Sequence, residues 1–163
     1  MRLTLVDRIV ELQPSQRIVA VKNLTMSEEY LRDHFPLFPV MPGVMMLESL
    51  YQTAAWLVRV TDGFAHSMIV VDQVKNIKFS DFVVPGKRLT LRAEYVKDDS
   101  TSATLKCEGT LDEGNSAVKG RLVLKKYNLA DSNASDAVTD RYVIKRLQDK
   151  LRLLYPSANS ETI

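Results

Sequence analysis

The chain has 163 residues, 45% of them apolar and 26% charged, which is ordinary globular usage and enough length for one domain to bury a core without metals or disulfides. Its 22 basic and 20 acidic residues give a net charge of +2 with no basic run, so charge gives no case for a nucleic-acid partner. The single cysteine, Cys107, excludes an internal disulfide and a cysteine-rich metal site and favours a reducing compartment. We therefore expect no metal and no cofactor. "MRLTLVDRIVEL" carries an aspartate and a glutamate where a signal peptide needs an unbroken apolar stretch. The longest apolar segment, Val40 to Val58, contains Glu48 and Gln52 and begins among prolines, which suits a buried helix rather than a membrane span. The reading is a cytoplasmic protein.

In chain order, "IVELQPSQRIVAVKNLT" predicts a hairpin around Pro14 and Ser15. "MSEEYLRDHF" predicts a short helical turn capped by Ser27. The loop "HFPLFPVMPG" holds three prolines that force extended backbone. Pro42 suits a helix start, and the segment from Gly43 to about Arg59 has apolar residues around nearly its whole circumference, so something must wrap it. Four alternating runs follow, "SMIVVDQVKNIKFS", "KRLTLRAEYVKDD", "SATLKCEGTLDEG" and "SAVKGRLVLKKY", read as an antiparallel meander. The expected fold is α+β, about six antiparallel strands wrapped around one long central helix. After Tyr127, "NLADSNASDAVTD" reads as a linker, followed by an amphipathic helix from about Thr139 to Leu154 with Val143, Leu147, Leu151 and Leu154 on one stripe. Residues 1–127 are thus the expected main domain, and residues 128–163 a linker and C-terminal helical extension.

Two positions carry candidate chemistry. Glu48, Gln52 and Arg59 fall on one face of the central helix, and a carboxylate in a buried helix needs a partner or a cleft. Spacing alone leaves open a bond to Gln52 or Arg59 on one side and a reagent facing substrate on the other. His34, one of only two histidines, is equally open to a structural role, held by a backbone carbonyl. The other, His66, follows "TDGFA" and reads as a solvated loop residue.

The string H-F-P-x-x-P-V-M-P-G-V followed by E-x-L-x-Q closely resembles the signature of the (3R)-hydroxyacyl-[acyl-carrier-protein] dehydratases of FabZ type, which have the hotdog fold. The resemblance extends through "VDRIVELQPSQRIVAVKNLT" and "KNIKFSDFVVPGKRLTL" and covers roughly residues 3 to 126. It implies a hydro-lyase of fatty acid or related lipid biosynthesis that converts 3-hydroxyacyl chains on acyl carrier protein to trans-2-enoyl thioesters. It also implies His34 as α-proton base, Glu48 as the helix carboxylate serving the hydroxyl, and the Gly43 N–H as oxyanion donor, with Gln52, Val44 and Phe79 on the substrate-binding side. Its members share sites across a homodimer, sometimes assembled as a trimer of dimers, with the histidine from one subunit and the carboxylate from the other. Phe79, Phe82 and Met46 are candidates for an acyl tunnel or for plain core packing, while Tyr51 and Trp56 read as packing. Lys75, Lys78, Lys87 and Arg88 are either a contact for the acidic carrier or a solvated strand edge. No nucleic acid and no membrane is implied.

The chain departs from the family at Leu37, where glycine usually follows H-F-P, at Asp33 before the histidine, at Ser49 and Tyr51 on the helix, and at Lys87 after Pro-Gly. These departures keep two alternatives in view: a hotdog acyl thioesterase, or a diverged, non-catalytic hotdog protein that binds acyl thioesters.

Overall fold

The structure, a computed structural model, describes residues 3–156. Residues 157–163, the end of the expected extension, lie outside them. Among the described residues there are six strands: β1 (Arg8–Gln13), β2 (Arg17–Asn23), β3 (Met68–Phe79), β4 (Arg88–Asp98), β5 (Ser102–Leu111) and β6 (Ser116–Tyr127). The two helices are α1 (Gly43–Thr61) and α2 (Ala137–Leu154). All strands pair antiparallel in one sheet, in the order β1-β2-β4-β5-β6-β3.

That order corrects the expected meander. Of the four strands expected to form it, β4, β5 and β6 follow one another across the sheet; β3 leaves α1 and crosses to pair with β6, while β2 pairs directly with β4. Alternation predicts that a segment is a strand but not which strand lies beside it. The β3 crossover lets one sheet close around α1, which packs against β2 through β6.

The burial of α1 follows its composition. Met46, Leu50, Ala54, Trp56, Leu57 and Val58 are all buried, and Leu50 and Leu57 share a core with Leu89, Leu91, Leu105 and Leu122. Each such side chain removed from water contributes about 1.5–3 kcal/mol. Two polar residues inside this helix are satisfied locally: Ser49 Oγ donates to Met45 O at 2.8 Å and Thr53 Oγ1 to Ser49 O at 2.9 Å. Gly86 takes a φ of +89°, and its N–H donates to Leu24 O at 2.8 Å, fastening the loop before β4 to the end of β2.

Two local expectations change. The turn before the histidine loop is a 3-10 helix, Glu29–Arg32, preceded by Glu28; Ser27 instead shares a hydrogen bond of 2.7 Å with Thr25. The segment after Tyr127, read from composition as a linker, is an ordered connection of two 3-10 turns. Asn128 accepts from Ser67 N and donates to Ala65 O, and buried Asp140 accepts from Ser67 Oγ, Leu129 N and Ala130 N. Polar residues dominate here because they make these bonds. The stripe expected on α2 turns inward: Val143, Leu147 and Leu151 are half-buried and Leu154 is buried. Among the described residues no helix is long and apolar enough to cross a membrane, and no group of metal-ligating side chains is assembled.

Candidate active site

The loop from His34 to Pro42 is shaped by its prolines and closed by its own backbone. Phe35 and Phe38 exchange N–H to O bonds of 3.2 and 3.0 Å, which puts Pro36 and Leu37 at the tip of a tight turn. Leu37 is fully exposed there, so in a single chain it narrows nothing. The Val40 N–H donates to His34 O at 2.9 Å, and the Met41 N–H reaches Val83 O at 2.8 Å. The last of these bonds anchors the loop to the connection between β3 and β4 as it enters α1.

The His34 ring is fixed by the same residue. Its Nδ1 lies 3.1 Å from Val40 O. A carbonyl oxygen only accepts, so this contact requires hydrogen on Nδ1 and leaves the Nε2 lone pair of the neutral ring available as a base. The ring also stacks on Phe35, with centroids 4.3 Å apart. Sequence reasoning raised a backbone-held histidine as the alternative to a reagent; the same bond serves both, because it selects the tautomer. Val40 could not have been found as the orienting partner, since only its main chain takes part.

Immediately after the loop, α1 begins. Met45 and Met46 both donate to Pro42 O, while helix geometry gives the Gly43 and Val44 amides no intrahelical acceptor. They point outward at the positive end of the helix dipole, a favourable place for negative charge. Val44 is 68% exposed, so this end of the helix is open. The Phe79 ring covers Gly43 so closely that a Cβ there would fall 3.2 Å from its Cε1. Glycine therefore keeps the amide reachable beneath an aromatic cover. Phe82, 62% exposed, meets Phe38 edge to face at 5.8 Å, whereas Met46 is buried among the core residues and belongs to packing.

Farther along α1, Glu48 accepts a hydrogen bond from Gln52 Nε2 at 2.9 Å through its Oε1. Gln52 also accepts from Leu5 N at 2.9 Å and donates to Leu3 O at 3.1 Å, so the N-terminal segment holds the glutamine that holds the glutamate. Oε2 of Glu48 is left for another partner. Arg59 does not take that place: its guanidinium lies over the Trp56 ring, 5.4 Å from the centroid. Glu48, Gln52 and Arg59 line one wall of a groove of about 770 Å³ whose opposite wall is α2; His34 is not among the described residues that line it. In one chain the histidine thus lies outside the groove that the carboxylate lines.

Other candidates are placed less centrally. Tyr51 donates its hydroxyl to Ile69 O at 2.6 Å and Trp56 is buried, both as packing. His66 is not simply solvated: its Nδ1 meets Asp62 Oδ2 at 3.2 Å, and Lys126 joins Asp62 to Asp98. Lys87 and Arg88 are ion-paired with Glu113 and Asp112, which leaves Lys75 and Lys78 as the exposed pair on β3.

Comparison with known proteins fits this arrangement. The structure resembles the dehydratase heterocomplex ApeI:P from Xenorhabdus doucetiae, with a TM-score of 0.63 and 14% identity over 78% of this chain and 85% of that one. It also resembles a hypothetical thioesterase with coenzyme A from Streptococcus pneumoniae, with a TM-score of 0.55 and 17% identity over 73% of this chain and 84% of that one. At these identities the likeness establishes the hotdog fold alone. In sequence, the chain is 40% identical over 107 residues to a 3-hydroxyacyl-[acyl-carrier-protein] dehydratase FabZ of Levilactobacillus brevis, covering 66% of this chain and 72% of the relative. The FabZ of Streptococcus mutans is 37% identical over 120 residues, 74% of this chain and 84% of the relative. A family model described as the FabA-like domain matches residues 1–120, a span that contains the histidine loop, the start of α1 and Glu48. The chain belongs to the FabA-like family.

Proposed function

We propose that this protein dehydrates (3R)-hydroxyacyl thioesters carried on acyl carrier protein to trans-2-enoyl thioesters in fatty acid or related lipid biosynthesis. The observation that carries the reading is the His34–Val40 bond at the entrance to α1: it provides a base of defined tautomer beside unpaired helix amides, on a family framework whose relatives bear the dehydratase name. Family membership selects dehydration over thioester hydrolysis, which the fold alone does not.

Each group has a role that the chemistry requires. His34 Nε2 removes the α-proton of the thioester, and the Gly43 N–H receives the carbonyl oxygen as enolate character develops. The C–O bond to the 3-hydroxyl breaks as the α,β double bond forms, and Glu48 Oε2 gives the departing hydroxyl its proton, so that it leaves as water. The imidazolium then returns its proton to the carboxylate through solvent. Val44 and Phe79 border the thioester, and Gln52 holds Glu48 in place. The reacting set is completed between two copies of the chain, His34 from one protomer and Glu48 from its partner, in a homodimer that can assemble into a trimer of dimers. Residues 1–127 carry this chemistry, in the cytoplasm, with acyl carrier protein as partner.

The test is incubation with 3-hydroxyacyl thioesters on the carrier, following the conjugated enoyl product and free thiol in parallel. Enoyl formation lost in His34→Ala is the expected result; thiol release in its place would identify a thioesterase. Mixing His34→Ala with Glu48→Gln subunits restores activity if sites are shared, and no recovery after verified subunit exchange would refute the shared site.

A further inference from the structure

The groove between α1 and α2 has a chemical polarity of its own. Glu48 stands at one end and Arg59 at the other, eleven residues along the same helix face, which is about 16 Å at the helical rise. Between them the walls are Tyr51, Ala55 and Trp56 on α1 and Val143 and Leu147 on α2. Arg146 and Lys150 of α2 add two more cations to the lining, and its other anion, Asp149, is bridged to Arg152 at 3.2 Å.

Arg59 is the unusual member. Its Nε is sealed from solvent without a hydrogen bond, and among the described residues no carboxylate stands within ion-pair distance of its guanidinium. Among the described residues its charge is met by the Trp56 ring and the neighbouring Tyr51 hydroxyl. A guanidinium in such a place is costly unless an anion completes it, and its planar fork matches phosphate oxygens. Arg146 stands 5.6 Å from the Tyr142 ring centroid, on the facing helix.

We propose that the Arg59 end of this groove is a phosphate subsite. There Arg59 and Arg146 hold the phosphodiester of the pantetheine arm whose thioester lies toward Glu48, the end at which Lys150 is bonded to Thr4 at 3.2 Å. The inference rests on the proposed acyl-carrier chemistry. An extended pantetheine arm places an apolar, amide-linked stretch of comparable length between its sulfur and its single phosphate, in the order the groove provides. An alkyl chain in the same channel would leave the half-buried guanidinium without an anion. One of the two cations, Arg146, comes from α2, beyond the residues matched by the family model, so the extension supplies the second wall of a substrate channel.

The test is isothermal titration of the full chain with three probes: 4′-phosphopantetheine, pantetheine without phosphate, and inorganic phosphate. Phosphopantetheine is expected to bind at least about tenfold more tightly than either of the others, the scale of one charge-assisted contact. Arg146→Gln, on the exposed face, should reduce that preference about threefold or more. Arg59→Met should remove it while Arg59→Lys keeps part of it, with circular dichroism verifying the fold of each. Equal binding of phosphopantetheine and pantetheine, a preference unchanged in Arg146→Gln, or phosphate alone binding as tightly as the whole arm would each overturn the proposal. A chain that keeps the phosphate preference but forms no enoyl product would refute the dehydratase reading and leave the subsite standing; enoyl formation without the preference would do the reverse.

Discussion

Replacing Gln52 by leucine keeps the side-chain volume but removes three hydrogen bonds at once: from Leu5 N, to Leu3 O and to Glu48 Oε1. Leu5 is fully buried, so its N–H is left without water or protein partner, at a cost of about 1–3 kcal/mol. The Leu3 carbonyl is on an exposed residue and can turn to solvent, adding about 0.5–1 kcal/mol. Together these give a loss of about 2–4 kcal/mol, or a fall in Tm of roughly 5–15 °C for a chain of this size. The third bond has a catalytic reading. Glu48 freed from Gln52 no longer presents Oε2 in one orientation, so kcat should fall about tenfold or more with a smaller change in KM. Calorimetry on the purified protein and enoyl absorbance measure the two effects independently. A Tm within about 2 °C of wild type would refute the stabilising role of the three bonds, and an unchanged kcat would refute the positioning of Glu48.

Gly43→Ala puts a Cβ 3.2 Å from the Phe79 ring edge. Because Phe79 is 45% exposed and can turn, stability should change by less than about 1 kcal/mol, while crowding at the amide lowers kcat/KM by about tenfold or more, read by thermal melting and the enoyl assay. Leu37→Ala removes a side chain that touches nothing in the single chain; its Tm should stay within about 2 °C of wild type, and a larger drop would place Leu37 in a buried contact between subunits. Asp140 gives a pH dependence. Burial pushes its carboxyl up, but donation from Ser67 Oγ and the Ala130 and Leu129 amides outweighs this and holds it below the ordinary carboxylate value. Its contribution is then complete above the unfolded-state value and is lost as pH falls through the lowered folded-state value. Hydrogen exchange on α2 and on the Leu129 and Ala130 amides should therefore accelerate in acid before β4 to β6 open, and Asp140→Asn should produce the same loosening at neutral pH.

How much was legible follows from the range of each signal. The six strands and both helices were readable, α1 and α2 to within two residues of their limits, because periodicity and turn residues act within a few positions. Glu48 and Gln52 were readable as a pair because helical spacing alone brings them together, and the structure adds the 2.9 Å bond. The place of β3 was not, since the pairing of Val71 with Leu124 joins residues 53 apart and depends on the sheet closing around the helix. The segment from Asn128 to Asp136 misled because polar residues that anchor a turn have the same composition as those of a linker. His66 misled similarly, its partner Asp62 being four residues back on the end of α1.

By itself the sequence determined the ingredients: an apolar helix begun by proline and glycine, alternating strands to cover it, a histidine on a stiffened loop and a carboxylate on the helix. These are set by covalent geometry and local patterning, which act along the chain. Only the tertiary structure decided that Val40 fixes the histidine tautomer, that the N-terminal segment braces Gln52, and that α2 stands across a groove from Arg59. The first is a bond within one loop whose closure depends on its fastening at Val83, and the other two join residues distant in sequence; in each, packing rather than helix or strand periodicity brings the groups into contact.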